Sequence, residues 1–122
     1  MGSILVVDDE RTVRRLAARM LEAEGFATVE ACDGAQAWEI IRHGTPAIEL
    51  VLSDIVMPRV NGIELMERLS DAHPELPVIL MSGYAAAELA ARGIAAPCSL
   101  LAKPFTPERL LDEVRRCLTA RR

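Results

Sequence analysis

Apolar positions along the chain follow two alternating rhythms. Short unbroken runs, Ile4-Leu5-Val6-Val7, Leu50-Val51-Leu52, Val78-Ile79-Leu80-Met81 and Ser99-Leu100-Leu101-Ala102, have the length and aliphatic makeup of strands buried on both faces. Between them the spacing changes to that of helices. Val13, Leu16, Ala17, Met20 and Leu21 predict a first helix over about residues 11 to 24, with Gly25 as its stop. Ala27 to Ala31 reads as a short second strand. Asp33-Gly34 then caps a second helix carrying Ala37, Trp38, Ile40 and Ile41, with Trp38 expected in the core rather than stacked on a cofactor. The third strand covers residues 49 to 53. After Pro58, Asn61 and Gly62, a third helix carries Ile63, Leu65, Met66 and Leu69. Residues 85 to 92 favour helix but hold one large aliphatic side chain, Leu89, so a weakly anchored fourth helix is expected. Pro107 opens the last helix, whose buried stripe is Leu110, Leu111, Val114 and Leu118.

Five strands and five helices in strict alternation imply an α/β domain, a parallel sheet with right-handed crossovers and helices on both faces. The 122 residues make one domain's worth of core, without repeat, linker or low-complexity tract. Met1-Gly2-Ser3 reads equally as a native start or a cloning remnant.

Charge changes the picture at the strand ends. The first run stops on Asp8 and Asp9, the third strand on Asp54, the fourth on Ser82 and the fifth on Lys103. In a parallel sheet these residues gather at one edge, the carboxyl edge, where open α/β sheets bind ligands. Lys103 is also the sole lysine among 14 basic residues, which points to a need for a compact ammonium rather than a guanidinium fork.

The remaining composition mostly excludes. A net charge of -4 gives no electrostatic case for nucleic-acid binding, and Arg115, Arg116, Arg121 and Arg122 are better explained as complement to a helix C-terminus. No apolar stretch approaches membrane-spanning length, and the N-terminus lacks a basic region before an apolar segment, so a cytoplasmic chain is expected. Cys32, Cys98 and Cys117 form no Cys-x-x-Cys pair and are expected as reduced, partly buried side chains. His43 and His73 stand beside the helix stops Gly44 and Pro74, which leaves neither as a ligand or base.

Three clustered carboxylates repel. Two unit charges about 4 Å apart cost roughly 4 kcal/mol at the effective dielectric near a protein surface. An all-oxygen cluster with few ligands suits a hard, partly hydrated cation, Mg²⁺ rather than Ca²⁺, which usually completes its shell with water and phosphate oxygens. A carboxylate can itself attack phosphorus, provided Mg²⁺, an ammonium such as Lys103 and a hydroxyl such as Ser82 neutralise the phosphoryl oxygens. For any one aspartate, a helix cap or turn is the simpler explanation. The convergence of four strand ends is not explained that way.

Ile4 to Glu10, Asp54 with Met57-Pro58 and Asn61-Gly62, Met81-Ser82-Gly83 and Lys103-Pro104-Phe105 together resemble the receiver domains of two-component response regulators, over nearly the whole chain and in the right order. The resemblance implies a three-layer flavodoxin-like fold, strand order 2-1-3-4-5, and a phosphoryl group accepted on Asp54 from a partner phosphohistidine. It further implies that Asp9, Asp54 and the backbone carbonyl of Val56 bind Mg²⁺ directly and Asp8 through water, with Ser82 as switch hydroxyl and Lys103 on the phosphoryl group. The Lys103-Pro104 bond is expected to be cis. The implied partner is a histidine kinase or histidine phosphotransfer protein, with the chain itself a monomer or weak homodimer. Such a chain is not a turnover enzyme but a phosphoacceptor catalysing its own phosphoryl transfer and dephosphorylation.

Two departures from the family pattern matter. Leu100 stands where receivers often carry Tyr or Phe, which excludes aromatic switching there and leaves relay to Ser82 and the helix after it. Val56 and Tyr84, two residues beyond Asp54 and Ser82, offer no group to position an attacking water, so slow to moderate autodephosphorylation is expected. The switched face would be the fourth helix, fifth strand and last helix. The segments around Met81 and after Lys103 resemble receivers at the C-terminus of hybrid histidine kinases, although a free-standing regulator fits equally, and direct control of transcription by this chain alone is not expected. A haloacid-dehalogenase-like phosphatase is the rival, since Asp8 to Thr12 nearly fits its nucleophile motif, but its further acidic strand end after the lysine is missing. A receiver-like interaction module without phosphorylation is the third possibility.

Overall fold

The computed structural model describes residues 2–55, 61–82 and 98–120. Five strands, β1 (Ser3–Val7), β2 (Thr28–Ala31), β3 (Ile48–Asp54), β4 (Val78–Ser82) and β5 (Ser99–Ala102), form one parallel sheet of order β2-β1-β3-β4-β5. Within the described residues the helices are α1 (Arg11–Glu22), α2 (Gly34–His43), α3 (Gly62–Ala72) and α4 (Pro107–Ala120). The helix expected over 85–92 lies outside the described residues, as do Val56, Tyr84, Arg121 and Arg122.

The inner strands β1, β3 and β4 are apolar on both faces because each face meets a helical layer. Leu5, Val7, Val51 and Leu80 pack with Ala37 and Ile41 of α2 and Ile63, Leu65, Met66 and Leu69 of α3. Ile4, Val6, Leu50, Leu52, Ile79, Met81 and Leu101 pack with Ala17, Ala18 and Leu21 of α1 and Leu110, Leu111, Val114 and Cys117 of α4. Trp38 lies partly buried against the first cluster, as its helical spacing predicts.

Helix ends follow local chemistry. The Asp33 carboxylate accepts from the Gln36 backbone N–H at 2.8 Å, and Asn61 forms a reciprocal capping box with Glu64. His43 is the last residue of α2 and His73 the C-cap of α3, consistent with their reading as helix ends. Gly25 and Gly44 end their helices at φ 91° and 77°, a region that favours glycine. The Lys103–Pro104 bond is cis, as expected, and so is Thr45–Pro46.

Two expectations are corrected. Leu16 does not face the core but is 54% exposed, since the inward face of α1 is Arg14, Ala17, Ala18 and Leu21. Arg14 takes a position that an apolar residue usually fills because its guanidinium has partners there: Nη1 donates to the Asp8 carbonyl and Nε to Glu30, both at 2.9 Å. A helix turns about 100° per residue, so placing Arg14 inward leaves Leu16 outside. The second correction concerns sulfur. Cys98 and Cys117 form a disulfide, with Cα atoms 6.0 Å apart, and among the cysteines only Cys32 is free.

Candidate functional site at the carboxyl edge of the sheet

Register brings the strand ends together. Val7 pairs with Ser53, which sets Asp8 beside Asp54, while Asp54 pairs with Met81 and Met81 with Leu101. Ser82 closes β4 opposite Ala102, the residue before Lys103. Asp8, Asp9, Asp54, Ser82 and Lys103 therefore occupy one edge, as the pattern of runs predicts. Val56, the expected carbonyl ligand, lies outside the described residues.

The three carboxylates are not equivalent. Asp8 is fully buried: Oδ1 accepts from the Glu10 backbone N–H at 2.9 Å and Oδ2 from the Lys103 ammonium at 3.0 Å. Asp9 is exposed. Asp54 lies between them, its side chain 14% exposed, with Oδ1 accepting from the Ile55 N–H at 3.0 Å and lying 3.3 Å from Lys103 Nζ. Among the described residues its second oxygen, Oδ2, accepts no hydrogen bond. Among the described residues, Asp8 is thus held through both oxygens, Asp9 is exposed and Asp54 is held through a single oxygen.

Electrostatics follow from this packing. Burial pushes the Asp54 carboxyl up, Lys103 opposes that and the nearby Asp8 charge adds to it, leaving the group above its ordinary range. Burial alone would pull the Lys103 ammonium down, but its hydrogen bond to Asp8 and the charges of Asp54 and Asp8 outweigh that and hold it above its usual value. Carboxylate oxygens of Asp8, Asp9 and Asp54 all lie within 4.8 Å of one another, and among the described residues the Lys103 ammonium pairs with two of them, Asp8 and Asp54. An all-oxygen set with that excess of negative charge fits a hard divalent cation.

One residue has a tighter role than its loop-like setting suggests. A Cβ on Gly62 would sit 2.2 Å from the Asp54 carbonyl oxygen, and the Gly62 N–H donates to the Ile55 carbonyl at 2.9 Å. The first turn of α3 therefore rests directly on the backbone of the candidate acceptor. Arg14 has a similar role for Asp8, through that residue's carbonyl. Asn61-Gly62 was visible in the sequence as turn punctuation. Nothing in the spacing of arginines singled out Arg14.

The profile of the response regulator receiver domain matches residues 4–115. The chain belongs to this family. As a receiver it is 35% identical over 119 residues to the sensor kinase CckA of Brucella abortus, covering 96% of this chain but 12% of the kinase. It is 33% identical to the response regulator receiver protein CpdR of the same organism, over 98% of this chain and 99% of that protein. The solved receiver domain of NtrX from Brucella abortus superimposes with a TM-score of 0.82 at 36% identity, covering 96% of this chain and 98% of the other. The chain is accordingly a phosphoacceptor receiver of two-component signalling, with the flavodoxin-like topology expected of one. The phosphatase alternative fits poorly, because its nucleophile would be Asp8, whose side chain is 1% exposed and held through both oxygens.

Proposed function

We propose that Asp54 is the phosphoacceptor of a two-component phosphorelay. The supporting observation is the division of labour between the two carboxylates that share Lys103: Asp8 is buried with both oxygens engaged, and Asp54 is partly exposed, its Oδ2 accepting no hydrogen bond among the described residues. Asp54 Oδ2 attacks the phosphorus of a partner phosphohistidine, the P–N bond breaks, and the departing imidazole nitrogen keeps the electron pair and takes up a proton. Lys103 sits between Asp8 and Asp54 and answers charge on the transferred group, while the Ser82 hydroxyl moves toward the new oxygens. Asp9, Asp54 and the Val56 carbonyl would hold Mg²⁺ directly and Asp8 through water, and the ion when bound would neutralise phosphoryl oxygens. Phosphorylation biases a two-state face made of the 85–92 segment, β5 and α4.

The donor is a histidine kinase or a histidine phosphotransfer protein. Helix α1 begins two residues after Asp9 and shows solvent an exposed Leu16 bordered by Arg11, Arg15 and Arg19, an apolar and basic strip beside the site on which such a donor would rest. Similarity to CckA supports a receiver within a hybrid kinase, and similarity to CpdR a free-standing one. The fitting experiment is radiolabel transfer from a phosphorylated histidine phosphotransfer protein. Transfer should require Mg²⁺ and vanish in Asp54→Asn; hydroxylamine-labile label retained on that variant overturns the assignment.

A further inference from the structure

The opposite end of β5 carries a second chemical feature that the phosphoryl site does not use. Cys98, just before β5, is bonded to Cys117 in the third turn of α4. The two sulfurs differ in access. Cys117 is 1% exposed, whereas Cys98 is partly exposed and lines a cavity of about 220 Å³ together with Ser70, His73 and Pro77. Two other links join the same elements: the Ser99 hydroxyl donates to Glu113, and Arg116 donates to the Cys98 carbonyl at 3.0 Å. Because those links do not involve sulfur, α4 stays docked on β5 when the disulfide opens.

We infer that Cys98 and Cys117 form a reversible thiol–disulfide site, entered at Cys98 by a small disulfide and closed by Cys117, whose oxidised form pins α4 to the start of β5. In the first step the Cys98 thiolate attacks one sulfur of a low-molecular-weight disulfide RSSR, giving Cys98–S–SR and releasing RS⁻. In the second, the Cys117 thiolate attacks the Cys98 sulfur and expels the other RS⁻. The protein loses two electrons and two protons, and RSSR becomes two RSH. The thiol–disulfide poise of the surroundings then sets how firmly α4 is held, independently of Asp54.

The test uses the full chain carrying Cys32→Ser, so that the exposed thiol does not compete, treated with oxidised glutathione and followed by intact mass. The reduced chain should lose two hydrogens without retaining an adduct, and its thermal midpoint should rise by about 10 °C for a loop of this length. With Cys117→Ala added, a stable glutathione adduct should accumulate on Cys98; with Cys98→Ala added, Cys117 should react at least tenfold more slowly. Equal rates at the two cysteines overturn the assignment of Cys98 as the entry point, and a chain that takes up two adducts without closing overturns the site. Should either variant fail to fold, timed alkylation of the Cys32→Ser chain with peptide mapping reads the same order of reactivity, and modification of Cys117 before Cys98 gives the negative answer.

Discussion

The two ends of β5 place a carboxylate against a cation in opposite ways. At the amino end Glu113 accepts from Ser99 and Arg116, and these bonds hold its carboxyl below the ordinary range. At the carboxyl end, burial holds Asp54 above that range even though Lys103 lies 3.3 Å away. The first carboxylate is content as an anion. The second is an anion only at a cost, first because burial disfavours its charge and then because Asp8 claims the same ammonium. Among the described residues the first cluster closes its charge balance and the second does not, and under the proposed function a cation and a phosphoryl group would close it.

Lys103→Met should break that contrast most severely. It strands a fully buried Asp8 beside Asp54 with no cation, and unfolding measured without divalent ions should show a loss of about 3 kcal/mol. Mg²⁺ should then restore more stability to the variant than it adds to the parent chain. A loss below about 1 kcal/mol would put the Lys103 bridge among ordinary surface pairs. Gly62→Ala comes next, at about 2 kcal/mol, since its methyl meets the Asp54 backbone rather than a flexible side chain. That variant should also slow phosphoryl acceptance, so unchanged acceptance with lowered stability would confine Gly62 to packing.

Much of this was legible in the chain because parallel strands buried on both faces write themselves as continuous aliphatic runs. The residue that ends each run must then lie at the carboxyl edge, which places Asp8, Asp9, Asp54, Ser82 and Lys103 there from the sequence alone. Helix faces were less legible. Leu16 fits the apolar rhythm of α1, but Arg14 turns inward for the Asp8 carbonyl and Glu30, and polar partners distant in sequence leave no periodic trace. The disulfide was hidden for a different reason. From Cys98 to Lys103 the chain climbs about 16 Å as strand, and from Pro107 to Cys117 it returns about 15 Å as helix, so the sulfurs meet at one level. Cysteine spacing by itself says nothing of that return path.

The sharpest form of the comparison is a pair of isosteric neutralisations, Asp54→Asn and Glu113→Gln, followed by unfolding across pH without divalent ions. Asp54 in the folded chain holds its proton above its ordinary 3.8, so its contribution is present below that value and lost as pH rises through the folded pKa. Asp54→Asn should therefore be the more stable protein at pH 7, by about 1 kcal/mol, with the gap closing in acid. Glu113 is depressed below its ordinary 4.5, chiefly by its Ser99 and Arg116 hydrogen bonds, so its contribution is present above that value and lost as pH falls through the folded pKa. Glu113→Gln should be the less stable protein at pH 7, by about 0.5 kcal/mol, and again match the parent in acid. Two gaps of opposite sign that both vanish on acidification would show one kind of side chain used for holding the fold and for spending stability on reactivity. If both variants lose stability at pH 7, Asp54 is held as firmly as Glu113, and the open charge balance at the carboxyl edge is not the source of its reactivity.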